Sequence, residues 1–213
     1  MTDASRKLAA VVRAQGVTDE RLLSAIADIQ RASFVPPEKA ADAYVDEPVP
    51  IPHRQVTTQP SLLAQMIEAL GLRGREKVLE IGTGYGWQTA LLARLAGAVW
   101  SIERWPDLAE VARANLERAG VAGAHVVVGD GTEGLPEQAP FDGIVVTAAF
   151  ATVPPPLIEQ LAEGGRLVQP IGPGGHDDVT LFEKGPEGLV EIGRIVPARF
   201  VRLYGTYGYS EDV

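Results

Sequence analysis

Lys77-Val78-Leu79-Glu80-Ile81-Gly82-Thr83-Gly84-Tyr85-Gly86-Trp87-Gln88 is the stretch that decides the architecture of this chain. An apolar run over residues 77–82 ends in glycine, and helical spacing takes over from Gln88 to Leu95. Strand, tight turn and helix in that order open an α/β unit, with glycines that let the backbone turn sharply and approach a ligand closely. The spacing then discriminates between ligands. A pyrophosphate fingerprint is G-x-G-x-x-G, whereas this loop is G-x-G-x-G, which disfavours a dehydrogenase. A P-loop needs Lys-Ser/Thr at the helix start, where Trp87-Gln88 stands. Neither phosphate reading fits.

Working outward towards the C-terminus, apolar strands alternate with helices. Residues 98–103 read as a strand, and Pro106 opens a helix that runs to about Ala119 and stops at Gly120. Strands follow at 125–130 and 141–149, a short helix at 155–161 and a strand at 166–172. Continuous apolar strands alternating with helices indicate a parallel sheet covered on both faces. Residues 179–184 and 189–195, joined by the turn 185–188, read as an antiparallel hairpin at the sheet edge. In the other direction, helical periodicity marks 61–70, 19–31 with Thr18 as N-cap, and 3–15. Between them, Phe34 to Pro60 carries too much proline for a helix or central strand and reads as an extended, ordered loop. The expected fold is α/β, a doubly wound, mostly parallel, Rossmann-like sheet with an N-terminal helical cap and a C-terminal antiparallel hairpin. Residues 1–60 form the cap and proline-rich loop, and 61–213 the core, within one compact domain.

Bulk properties narrow the function classes. A net charge of −9 with scattered Lys and Arg argues against nucleic acid, which needs clustered cations. No apolar run approaches a membrane span, and residues 1–15 lack a signal-peptide core, so a cytoplasmic protein is expected. Oligomeric state is not readable, and a monomer fits. The absence of cysteine excludes disulfides, thiol nucleophiles and zinc–thiolate sites. The three histidines, His53, His125 and His176, share no ligand spacing, so no metal site is expected. Asp177-Asp178 reads as a solvated turn.

Acids mark the ends of three successive strands: Glu80, Glu103 and Asp130. In an open α/β sheet this edge is where ligands lie, and an acid in the position of Glu103 can accept hydrogen bonds from ribose hydroxyls. Asp130, within Gly129-Asp130-Gly131, is placed for an adenine amino group. Each acid alone could merely cap a loop, but together with the glycine loop they favour cofactor binding. The loop resembles the one that methyltransferases bend around the amino-acid part of S-adenosylmethionine. The chain further resembles the protein-L-isoaspartate O-methyltransferase family through Phe34-Val35-Pro36, residues 43–48, Gln55 to Pro60, residues 78–90, 129–142 and 160–172, and Arg199-Phe200-Val201.

That resemblance implies carboxyl methylation of L-isoaspartyl residues in damaged proteins and peptides, with S-adenosyl-L-methionine as the cofactor and no metal. It implies cofactor contacts at Glu80, Gly82, Thr83, Gly84, Tyr85, Gly86, Gln88, Glu103, Arg104, Gly129, Asp130, Gly131 and Thr147. It implies acceptor contacts at Tyr44, Asp46, Arg54, Gln55, Val56, Thr57, Phe200 and Val201. Thr58 falls on the family's serine and is expected to orient the acceptor carboxylate; the plainer role is a cap for the next helix. Trp87 and Trp105 read equally as walls for the adenosine or as core. Three departures stand in the proline-rich loop: Pro52 and Arg54 replace glycines and Val56 replaces threonine. Arg54 reads either as a cation facing the acceptor or as a partner for Glu47 or Asp46. The alternative function is methylation of another carboxylate, on a normal aspartate of a dedicated peptide or on a small molecule. A non-catalytic S-adenosylmethionine-binding module is disfavoured by the intact Asp46, Gln55 and Thr58.

Overall fold

The computed structural model describes residues 2–210; Met1 and 211–213, the outer ends of the two expected segments, lie outside the described residues. Two helices, α1 (Asp3–Ala14) and α2 (Glu20–Asp28), lead into 3₁₀ turns at Arg31–Phe34 and Pro37–Tyr44. A small hairpin follows, β1 (Val49–Ile51) and β2 (Gln55–Thr57), and then α3 (Pro60–Ala69). The core runs β3 (Lys77–Ile81), α4 (Trp87–Leu95), β4 (Ala98–Glu103), α5 (Pro106–Arg118), β5 (Ala124–Val128), β6 (Phe141–Val146), α6 (Pro155–Gln160) and β7 (Leu161–Ile171). It closes with β8 (Asp177–Gly185) and β9 (Gly188–Ala198).

The seven strands lie in the order β5-β4-β3-β6-β7-β8-β9. Pairing is parallel from β5 through β7 and antiparallel for β7–β8 and β8–β9, the mixed, edge-extended sheet that the apolar pattern predicts. The strand order, not the strand direction, reverses between the parallel neighbours β3 and β6, which creates the crevice beyond their carboxyl ends. Alternation along the strands feeds two cores. Val78, Val145 and Val168 pack with the apolar faces of α1–α4, while Leu79, Ile144, Val146 and Leu167 pack on the opposite side with Leu157 of α6. The N-terminal helices therefore share the core of the sheet.

Local capping departs from expectation at one helix. Asp19, not Thr18, caps α2: its carboxylate accepts the Arg21 and Leu22 amides, while Thr18 donates its amide and hydroxyl to Glu68. Asp177 is likewise not a solvated turn residue. It is buried, and its carboxylate accepts the amides of Gly174, Gly175 and Phe200, closing the loop before β8. The proline-rich segment folds into 3₁₀ turns and a hairpin rather than a plain extended loop. Among the described residues, no helix is long and apolar enough to cross a membrane.

Candidate active site

The glycine loop leaves β3 at the reversal point. Gly82, Gly84 and Gly86 take φ of 94°, 54° and 91°, left-handed backbone that side chains disfavour. A Cβ on Gly82 would collide with the Thr147 hydroxyl, which donates to Ile81 O at 2.9 Å and Gly82 O at 3.2 Å. Gly86 then starts α4. Beside the loop, Glu103 at the end of β4 is 5% exposed, and accepts the amides of Gly84 at 2.8 Å and Trp105 at 3.1 Å. Burial pushes its carboxyl above the ordinary range, and those amides offset part of the rise.

A cleft of about 940 Å³, counting its open mouth, runs along this edge. Its floor is the loop Gly82–Gly86 with Trp87 and Gln88 behind it, and one wall is Ile102, Glu103, Arg104 and Trp105. The roof is the β1–β2 hairpin through Ile51, Gln55, Val56, Thr57 and Thr58, and the far end is closed by Thr147, Gly131 and the segment Val201–Tyr204. Two lining residues keep unpartnered polar atoms: both ends of the Gln88 amide and the Trp105 indole N–H are buried without a hydrogen-bond partner. An amide offering one free acceptor and one free donor group suits the ammonium and carboxylate of an amino-acid ligand. The buried Glu103 carboxylate keeps lone pairs for hydroxyls. The residues thus fit the amino-acid and ribose parts of S-adenosylmethionine.

Thr58 stands in the lining, and it is not a helix cap. The N-terminus of α3 is held by Asp46, whose carboxylate accepts the Ser61 amide at 2.8 Å and the Gln59 side-chain amide at 3.2 Å. Asp46 thereby serves the scaffold, away from the cleft lining, as do Tyr44 and Phe200, which pack against the apolar core. Arg54 is exposed, outside the lining, and pairs with neither Glu47 nor Asp46.

Three cofactor expectations also move. Glu80 lies fully buried under the loop, accepting the Thr89 and Ser101 hydroxyls at 2.5 Å each. Burial, opposed by those hydroxyls and reinforced by Glu103, pushes its carboxyl up to about 7. Asp130 turns away from the cleft: its carboxylate takes the Thr132 amide and hydroxyl and the Thr206 amide, tying down the segment that follows Tyr204. Gly129 lies outside the lining, where Gly131 takes its place.

One residue of the site has no sequence signature. Arg31 is 1% exposed, and its guanidinium donates to the carbonyls of Ala43, Val45, Glu47 and Thr58 and to the Thr57 hydroxyl. It lies 5.2 Å from the Trp87 ring centroid, and burial lowers its pKa to about 10, with Asp46 opposing. Arg31 therefore stitches the loop bearing Thr57 and Thr58 to the wall of the cofactor floor. Among the described residues no group of three His, Cys, Asp or Glu could hold a metal.

A doubly wound sheet whose reversal point carries a non-phosphate glycine loop, facing a buried acid on the next strand, defines an S-adenosylmethionine-dependent methyltransferase. The profile of the Protein-L-isoaspartate(D-aspartate) O-methyltransferase family matches residues 3–208. A protein-L-isoaspartate O-methyltransferase of Anaeromyxobacter dehalogenans is 53% identical over 201 residues, covering 93% of this chain and 96% of its own. A solved protein-L-isoaspartate O-methyltransferase superposes with a TM-score of 0.83 at 32% identity, over 95% of this chain and 66% of that one. A Plasmodium falciparum structure of the same description, in complex with S-adenosyl-L-homocysteine, gives 0.79 at 21% identity over 94% and 98% of the two chains; at that identity the likeness is one of fold. This chain belongs to the protein-L-isoaspartate (D-aspartate) O-methyltransferase family.

Proposed function

We propose that the protein methylates the α-carboxylate of L-isoaspartyl residues in proteins and peptides, with S-adenosylmethionine as donor, and so starts their repair. The support is one juxtaposition: the glycine loop, Glu103 and the hydroxyl-bearing hairpin residues Thr57 and Thr58 line a single cleft. Bound S-adenosylmethionine supplies a methyl group on a sulfonium, open to attack by an anionic oxygen. The acceptor carboxylate, with a pKa near ~3.5, is ionised at neutral pH, so the chain need supply no general base. Its task is alignment and exclusion of water. In this reading Gln88 holds the amino-acid end of the donor, Glu103 the ribose, and Thr147 with Gly131 the far end. Thr58 donates its hydroxyl to the acceptor carboxylate while Arg31 fixes the backbone that carries it. Gln55, Val56 and Val201 flank the acceptor. The exposed Arg54 adds no cation to the lining, whereas Val56, which stands in place of the family's threonine, does line it. We further propose that the enzyme works in the cytoplasm without nucleic acid or membrane; its net charge of −9 with scattered cations supports the exclusion of nucleic acid.

The test is a methyl-transfer assay on paired synthetic peptides, one with isoaspartate and one with aspartate at the same position. The isoaspartyl peptide should be methylated and its partner left unmodified. Equal labelling of both peptides, or of neither, would overturn the acceptor assignment.

A further inference from the structure

The hairpin that roofs the cleft is held down at its tip. Gln55 N donates to Pro52 O at 3.2 Å, closing a two-residue turn in which His53 and Arg54 take φ of 60° and 56°. Both central residues are left-handed, as a tight type I′ connection demands, yet neither is glycine or asparagine. Such a conformation persists only where its surroundings hold it. Here the hold is on His53. Its ring stacks on Trp105 with centroids 3.9 Å apart and planes at 4°, and its Nε2 lies 2.8 Å and 2.9 Å from the two Asp107 carboxylate oxygens. The Gln55 side-chain amide braces the same turn by donating to His53 O at 3.1 Å.

The anchor is part of the cofactor wall. Trp105 lines the cleft two residues after Glu103, and its backbone amide donates to the Glu103 carboxylate. Asp107 sits in the first turn of α5, where the helix dipole already favours a negative charge, and its hydrogen bond with His53 holds its carboxyl below the usual range. On the roof side, Ile51 reaches over Gly84: a Cβ there would stand 3.5 Å from Ile51 Cδ1. The roof therefore spans the glycine loop from β1 to Trp105, where His53 ties it to the cofactor wall.

We propose that His53 is a positioning residue that latches the acceptor hairpin over the cofactor cleft, and that this latch sets how slowly S-adenosylhomocysteine departs. The proposal rests on the methyltransferase reading above. It distinguishes two halves of the latch, the ring stack and the carboxylate bond. Both lie at an exposed tip, outside the packed core.

The experiment measures S-adenosylhomocysteine dissociation by stopped-flow displacement in the full-length wild type, His53→Ala, His53→Phe and Asp107→Asn, with melting temperature taken on the same preparations. His53→Ala loses both halves and should release the ligand faster, on the order of tenfold. His53→Phe keeps the stack and Asp107→Asn keeps the ring, so each should show a smaller rise, about threefold. A purely structural role would shift melting in the variants and leave the dissociation rate of folded enzyme at the wild-type value; that result overturns the latch. A wild type that binds no S-adenosylhomocysteine would instead overturn the cofactor reading beneath it, and the latch with it.

Discussion

Of the two roles that sequence leaves for Thr58, acceptor orientation and helix cap, the fold gives the cap to Asp46 instead. A threonine two residues ahead of a helix is a natural cap, and an acid in a family-like loop a natural substrate contact. In the fold the acid caps α3 and the threonine is left in the cleft lining. If Thr58 orients the acceptor, Thr58→Val should lower kcat/KM about 10- to 150-fold, the range of one hydrogen bond to a carboxylate, with melting unchanged. Thr58→Ser should keep most activity. Steady-state kinetics beside thermal melting checks this, and a fully active valine variant would remove Thr58 from the mechanism. The glycine loop and Glu103 were legible in the sequence because their geometry is local: a strand end, a turn and fixed spacing. Arg31 was not, since its acceptors lie 12 to 27 residues further along the chain and no local pattern announces a buried guanidinium. Asp130 misled for the same reason, its carboxylate being claimed by Thr206, 76 residues away.

Elements whose apolar period is strong stand where the sequence puts them, β4 over 98–103 without shift and α5 within a residue. The segment 34–60 shows where such reading stops. Prolines exclude long regular structure but say nothing of the two three-residue strands, which exist because Val49 and Ile51 are buried beneath the hairpin and Thr57 closes it by accepting the Val49 amide. This segment is joined to α3 through Asp46, which also lies near Arg31. Asp46→Ala should therefore cost about 0.5–2 kcal/mol of stability through the lost cap. Asp46→Asn should recover most of that, because an amide oxygen caps as well. Chemical denaturation read against turnover per folded molecule separates the roles. A stable Asp46→Ala protein with a raised KM for peptide would return Asp46 to the acceptor.

For the molecule as a whole, the buried Glu80 writes a pH signature into stability. Its folded pKa, about 7, stands above the ordinary carboxylate value of 4.5. A group so raised stabilises the fold fully below its unfolded value, and that contribution is lost as pH rises through about 7. Glu80→Gln, which cannot ionise, should gain on the wild type between pH 5 and pH 8. Melting curves of both proteins at the two pH values report this directly, and a constant difference between them would show that Glu80 does not titrate in the window. The sheet carries a different consequence at its far edge. Among the described residues β9 ends the strand order and leaves one backbone rim open, and Val190 and Ile192 lie about half exposed on this strand. An open apolar rim is a template for strand addition between molecules. Here Glu191, Arg194 and Pro197 break it up with charge and a missing amide donor. Such gatekeepers would let a repair enzyme stay dispersed among the ageing, aggregation-prone chains it has to handle.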